Sequence, residues 1–125
     1  MRFSLDSDAN HYFVKSYGPG WVKVNEQEVH RSLIITPEQL VTDWPPQAFV
    51  DLEEVHFEAV ARLEPEIVLL GTGGHQRFPP PRLTRALLAR GVGVEVMDTA
   101  AACRTYNIIM LEGRRVAAAL LMIAD

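Results

Sequence analysis

The residues that could do chemistry are concentrated in two short stretches. In the first, Gly71-Thr72-Gly73-Gly74 follows the apolar run Glu66-Ile67-Val68-Leu69-Leu70 and leads through His75, Gln76, Arg77 and Phe78 into Pro79-Pro80-Pro81. A glycine-rich loop behind a strand can offer backbone N–H groups to an anion, and a helix start beyond it adds partial positive charge. His75 is of the type that exchanges a proton near neutral pH. In the second stretch, Asp98 and Thr99 close the run Val92-Gly93-Val94-Glu95-Val96-Met97, with Cys103 and Arg104 about one helical turn further on. A thiol near a helix start is a potential nucleophile when a base lies beside it.

Neither stretch completes a catalytic set. A dinucleotide fingerprint needs its third glycine to open a helix directly, whereas His75 to Pro79 intervene here, and there is no Walker lysine. His11, His30, His56 and His75 are scattered without the spacing of metal ligands, and no histidine stands near Cys103 to activate it. No catalytic residue, cofactor or metal is therefore expected, and the sequence names no reaction. Cys103, flanked by alanines, is expected to face the core. The loop keeps two readings: a tight turn alone, or a turn that also binds a small ligand or a partner.

The elements that would position these residues follow from pattern. Tyr12–Ser16 and Trp21–Val24 flank Gly18-Pro19-Gly20, the chemistry of a type II turn, and predict a β-hairpin from Tyr12 to Val24. Val29–Ile35 reads as a third strand and Gln39–Trp44 as a short fourth, stopped by Pro45-Pro46. From Asp51 the apolar spacing turns helical, with Asp51 as N-cap and Glu54 as its capping-box partner, and Pro65 ends that helix. Ile67–Leu70 is a continuous apolar strand, as in a sheet covered on both faces. Pro80 or Pro81 opens a second helix that Gly91 closes, Val92–Met97 is the next strand, and Asp98 or Thr99 caps a third helix from Ala100 to Leu111. Gly113 ends that helix, and Val116–Met122 is a last buried strand.

The order αβαβαβ from residue 51 onward predicts an α/β fold of three layers. Its central sheet is mixed and mostly parallel, with helices on both faces and an N-terminal antiparallel β-hairpin layer. Residues 1–10 read as a flexible tail and 11–125 as a single globular domain. In a parallel sheet, Gly71 and Asp98 both follow carboxyl ends of strands. The loop Gly71, Thr72, Gly73, Gly74, His75, Arg77, Phe78 and the helix start Asp98, Thr99, with Arg104, should then share a crevice at one sheet edge.

Composition narrows the partners. A net charge of −4 with dispersed arginines argues against a nucleic-acid binder. The longest apolar run, Val116 to Ala124, is about half of what a membrane helix needs. A single cysteine fits a reducing compartment, and the N-terminal residues have the pattern of neither a secretory signal nor a transit peptide, so a cytoplasmic location is expected.

Several blocks occur in one order: Gly18-Pro19-Gly20-Trp21, Leu33-Ile34-Ile35-Thr36-Pro37, Trp44, Leu70-Gly71-Thr72-Gly73, Gly91 to Thr99, Arg104-Thr105-Tyr106-Asn107 and Glu112 to Leu120. Together, over about residues 12–122, they resemble a small conserved family of unknown function in bacteria and archaea. Its mitochondrial branch is an assembly factor (factor 3) for respiratory complex I, the NADH:ubiquinone oxidoreductase, and an animal branch includes an adipogenesis-associated domain protein. The resemblance implies a three-layer fold and no established catalysis. Two function classes follow. One is a non-catalytic protein-interaction or assembly factor whose partner is another protein, with self-association left open. The other is a small-molecule or anion-binding domain, or an enzyme, using the Gly71–Arg77 loop and the Asp98–Thr99 helix start with Arg104.

Overall fold

Thirteen short elements are laid down along the chain in the computed structural model, which describes residues 11–124. The tail expected over residues 1–10 lies outside the described residues. Strands β1 (Val14–Gly18) and β2 (Trp21–Val24) form the predicted hairpin with Gly18 opposite Trp21, so Pro19 and Gly20 are the two turn residues. Gly20 takes φ +79°, the left-handed conformation a type II turn requires at its second central position. A two-residue turn at Asn25-Glu26 leads to β3 (Gln27–Val29), which pairs with β2.

The predicted third strand, Val29–Ile35, is two strands in two sheets. Val29 pairs with Val22 in the hairpin sheet, whereas β4 (Leu33–Ile35) pairs with the last strand of the other sheet. His30, Arg31 and Ser32 carry the chain between them, and those three polar residues inside an apolar run are the visible sign of the break. The fourth strand is also shorter than predicted. β5 (Leu40–Val41) has two residues because the chain then turns inward to bury Trp44. The indole Nε1 donates to the His56 carbonyl at 3.1 Å and its ring meets Phe57 edge-on, so Trp44 is a core residue.

The start of the first helix needs a correction too. Asp51 belongs to a 3₁₀ turn, Phe49–Asp51, where its carboxylate accepts the Ala48 N–H at 3.1 Å. Leu52 is extended and buried, and α1 (Glu54–Ala61) begins after it with Glu53 as N-cap, its N–H donated to His56 Nδ1. Strand β6 (Ile67–Gly71) follows. The proline-started helix is a 3₁₀ turn, Pro81–Thr84, running into a single α-turn, α2 (Arg85–Leu88). Strand β7 (Val94–Met97) is shorter than predicted, and α3 (Thr99–Leu111) and β8 (Val116–Leu120) complete the chain.

Two sheets result, of orders β1-β2-β3 and β5-β4-β8-β6-β7. In the larger, β8, β6 and β7 are parallel, β4 runs antiparallel to β8, and β5, antiparallel to β4, points the same way as the parallel three. Strand β8 divides the core by period-two alternation. Val116, Ala118 and Leu120 join Leu33, Ile35 and Leu69 on the face covered by α3 and the hairpin sheet. Ala117, Ala119 and Leu121 join Ile34, Val68 and Leu70 on the face covered by α1 and α2. Alanines in the middle of β8 keep both covering layers close. The buried trio of strands needs two corrections: β8 ends at Leu120, short of the expected Met122, and β7 lies at the sheet edge with Val94, Val96 and Met97 half-buried.

Polar side chains of α3 tie the layers together. Asn107 grips the backbone of Val14 as a strand would, accepting its N–H at 2.9 Å and donating to its carbonyl at 2.8 Å. The Tyr106 hydroxyl, at the end of a fully buried ring, donates to the Tyr12 carbonyl at 2.7 Å. Cys103 is buried in the same layer, and burial pushes its thiol up to about 12, so no thiolate is available at neutral pH. Burial raises the Tyr106 phenol as well. Because both folded-state values lie above the unfolded ones, folding stability is fully present below about pH 8.5 and falls as pH rises toward 12. Chemical denaturation at a series of alkaline pH values should show this decline. Cys103→Ala should delay its onset toward the ordinary tyrosine range near pH 10, and an unchanged onset would show that the thiol does not govern it.

Candidate interaction site

Two threonines decide how the Gly71–Phe78 loop sits. Thr99, fully buried at the first turn of α3, donates its hydroxyl to the Leu121 carbonyl at 2.6 Å and accepts the Gly73 N–H at 2.8 Å. Its own N–H donates to the Gly73 carbonyl at 2.9 Å. Thr72, also buried, donates its hydroxyl to the His75 carbonyl at 2.5 Å and accepts the Arg77 N–H at 3.2 Å, folding the loop back on itself. Its N–H donates to the Met97 carbonyl, joining the loop to the end of β7. Gly71 is required by close approach: a Cβ there would stand 2.9 Å from Thr99 Oγ1 and 3.0 Å from Thr99 Cα.

Asp98 caps α3 as predicted, its Oδ1 accepting the Ala101 N–H at 2.8 Å. The two strand ends are thus adjacent, with Gly71 opposite Met97 in parallel register. They are stitched shut by hydrogen bonds at this point. The N–H groups of Thr72, Gly73 and Arg77 are all spent on partners within the protein, so the inner loop is not a free cradle for an anion.

What the loop offers lies on its outside. Gly74, His75, Arg77 and Phe78 are exposed, Phe78 at 71%. The Arg77 guanidinium lies over the Phe49 ring, 4.3 Å from its centroid, and Gln76 donates to the Val96 carbonyl at 2.9 Å. These two anchors fix the outer loop against the 3₁₀ turn and the edge strand. Nothing local in the sequence marks Phe49 as a partner of the loop, or Gln76, itself a loop residue, as its tie to β7. Arg104 faces elsewhere: its Nη1 donates to the Tyr17 hydroxyl at 2.7 Å, so its contact is with β1.

Two cavities lie away from this loop. A cavity of about 310 Å³ sits over Trp44, between β5 and α1. Another, of about 360 Å³, lies between the Thr36–Gln39 turn, the end of α1 and the end of α3. It opens at the amino ends of β6 and β8, opposite the loop.

Residues 14–121 match the family described as protein of unknown function DUF498/DUF598. The chain belongs to this family. Among DUF498/DUF598 relatives, the chain is 36% identical over 111 residues to the bovine (Bos taurus) protein named NADH dehydrogenase [ubiquinone] 1 alpha subcomplex assembly factor 3, covering 87% of this chain and 60% of that one. It therefore spans about three-fifths of that relative's length. It is 31% identical to the 13 kDa major membrane protein of Francisella tularensis, covering 83% of this chain and 85% of that one. A crystal structure of a Bordetella parapertussis protein superposes with a TM-score of 0.86 at 44% identity, covering 91% of this chain and 98% of that one. The solution structure of a Bordetella pertussis protein, described as an Mth938-like domain, gives 0.86 at 35% identity, covering 100% and 94%. The three-layer α/β fold and the family expected from the sequence blocks are both found.

The threonine clamp makes a quantitative prediction. Thr99→Val keeps the shape but leaves the buried Gly73 N–H and Leu121 carbonyl without their partner, which should cost about 2–3 kcal/mol in urea unfolding. His75→Ala, on the exposed rim, should stay within about 0.5 kcal/mol of the parent. Equal losses from the two variants would contradict the clamp.

Proposed function

We propose that this chain is a non-catalytic protein-interaction domain acting in assembly, and that its partner docks on the outer Gly71–Phe78 loop beside the Asp98–Thr99 start of α3. The observation that carries the reading is Phe78, a large apolar side chain held out to solvent on a loop whose base is pinned by buried hydrogen bonds. A rigid support under an exposed aromatic is the arrangement of an interface hot spot, because ordering the loop costs little when the partner arrives. Arg77, already laid on Phe49, adds a charged rim to the same patch. The name of the bovine relative, an assembly factor, supports an assembly role here.

A protein partner, a second copy included, is favoured over a small molecule because the inner N–H groups of the loop are occupied. The setting we propose is the cytoplasm, supported by the lone, reduced and buried Cys103. Among the described residues, no helix is long and apolar enough to cross a membrane.

The test is a double variant, Arg77→Ala with Phe78→Ala, compared with the parent chain in quantitative affinity capture from its native cell. Thermal melting of the two should agree within a few degrees, since both side chains are exposed. Partners retained by the parent should fall by about tenfold or more in the variant, the loss expected from removing one hot-spot aromatic. Undiminished capture would place the contact elsewhere.

A further inference from the structure

The cavity at the opposite end of the sheet is built differently from the loop surface. Leu63, Met110, Leu111 and Val116 give it an apolar floor, and Arg114 and Arg115 stand at its mouth with Glu38 and Glu64. At about 360 Å³ it falls at the small end of the range for ligand pockets. Apolar walls with a few placed polar groups are the usual make-up of such sites.

The two arginines are not equivalent. Arg114 is paired, its Nη2 lying 3.5 Å from Glu66 Oε2. Arg115 is positioned without a close ion pair among the described residues, although the Glu66 carboxylate feels its charge. Its backbone N–H donates to Glu66 Oε1 at 3.0 Å, and its Nε donates to the Glu64 carbonyl at 3.3 Å. That carbonyl is presented by an uncommon backbone: Glu64 adopts φ +57°, a conformation a β-carbon disfavours, in the tight turn that ends α1. With Nε engaged there, the two Nη amino groups of Arg115 remain as an end-on pair of donors, the geometry that grips both oxygens of one carboxylate.

The surroundings limit the charge of the ligand. The carboxylates of Glu38 and Glu64 and the carbonyl end of α3 all lie at this mouth, and each repels anions. One guanidinium can offset a single negative charge there, but a phosphate dianion would meet more repulsion than attraction. Arg115 is exposed, as are Glu38 and Glu64, but its guanidinium is held by the Glu64 carbonyl, a fixed geometry that an amine would not find at the two carboxylates.

The geometry points to a binding site for a small amphipathic monocarboxylate, its carboxylate on Arg115 and its apolar body on Leu63, Met110, Leu111 and Val116. The site lies apart from the Gly71–Phe78 surface, and its test does not depend on any protein partner.

Hexanoate is a suitable probe, read by ¹⁵N–¹H correlation spectra of the full chain. Saturable shifts are expected at the amides of Gln39, Glu64, Leu111 and Gly113 below about 10 mM, the millimolar range of weak fragment binding. Hexanol and Arg115→Gln should each weaken the binding by about tenfold or more, the loss of a charge-assisted pair. Inorganic phosphate and hexylamine should leave those amides unmoved, and the dispersed spectrum of Arg115→Gln would show that it is folded. No saturable hexanoate shift would overturn the assignment. Equal binding of hexanol, undiminished binding by Arg115→Gln, or tighter binding of hexylamine or phosphate would do so as well.

Discussion

One buried hydroxyl holds three chain segments at a point. Thr99 is at once the first residue of α3, the acceptor for the loop after β6 and the donor to the residue after β8. It can do this only because Gly71 carries no side chain where the helix start presses on the strand end. Close packing and hydrogen-bond satisfaction are thus the same constraint here. A wider separation would leave a buried N–H and a buried carbonyl unpaired, at a cost comparable to a large part of a small domain's stability. The orientation of α3, the layer that α3 supports and the shape of the outer loop all follow from this contact.

Much of the framework could be read from residue types. The apolar run at Ile67–Leu70, the proline-glycine turn of the hairpin and the Asp98 cap are local signals that appear where expected, and the strand read over Val116–Met122 is present but ends at Leu120. Failures came where a tertiary demand overrode the local pattern. Val29–Ile35 looked continuous because both of its halves are apolar, yet its ends serve different sheets. The strand toward Trp44 stopped early because burying an indole was worth more than further ladder pairing at an edge. Asp51 had the chemistry of a cap, but the need to bury Leu52 moved the helix start past it.

The candidate surface was legible in part, for the same reason. That the Gly71 loop and the Asp98 helix start meet at one sheet edge follows from parallel strands, and they do meet. Whether the loop's N–H groups were free could not be read, since Thr72 and Thr99 consume them through contacts up to 26 residues apart in the chain. Sequence proximity alone places Arg104 beside the helix start, whereas in the fold its guanidinium reaches Tyr17 on β1. The cavity at the other end left no mark at all. Its walls come from four separate segments, and the left-handed Glu64 that orients Arg115 has none of the glycine or asparagine that usually flags such a turn.

The grip of Asn107 on Val14 spans 93 residues of chain, and β4 waits for β8 across a similar distance, Leu33 pairing with Leu120. Such contacts cannot form until the chain has been made as far as Asn107 and Leu120, and closing loops of that length slows the search for the native state. On a ribosome, the hairpin and β4 would emerge with their partners still unsynthesised, leaving apolar strand faces and unpaired edges exposed in the meantime. The middle strand of the larger sheet is the last to be made, so this fold is completed from its C-terminal end inward.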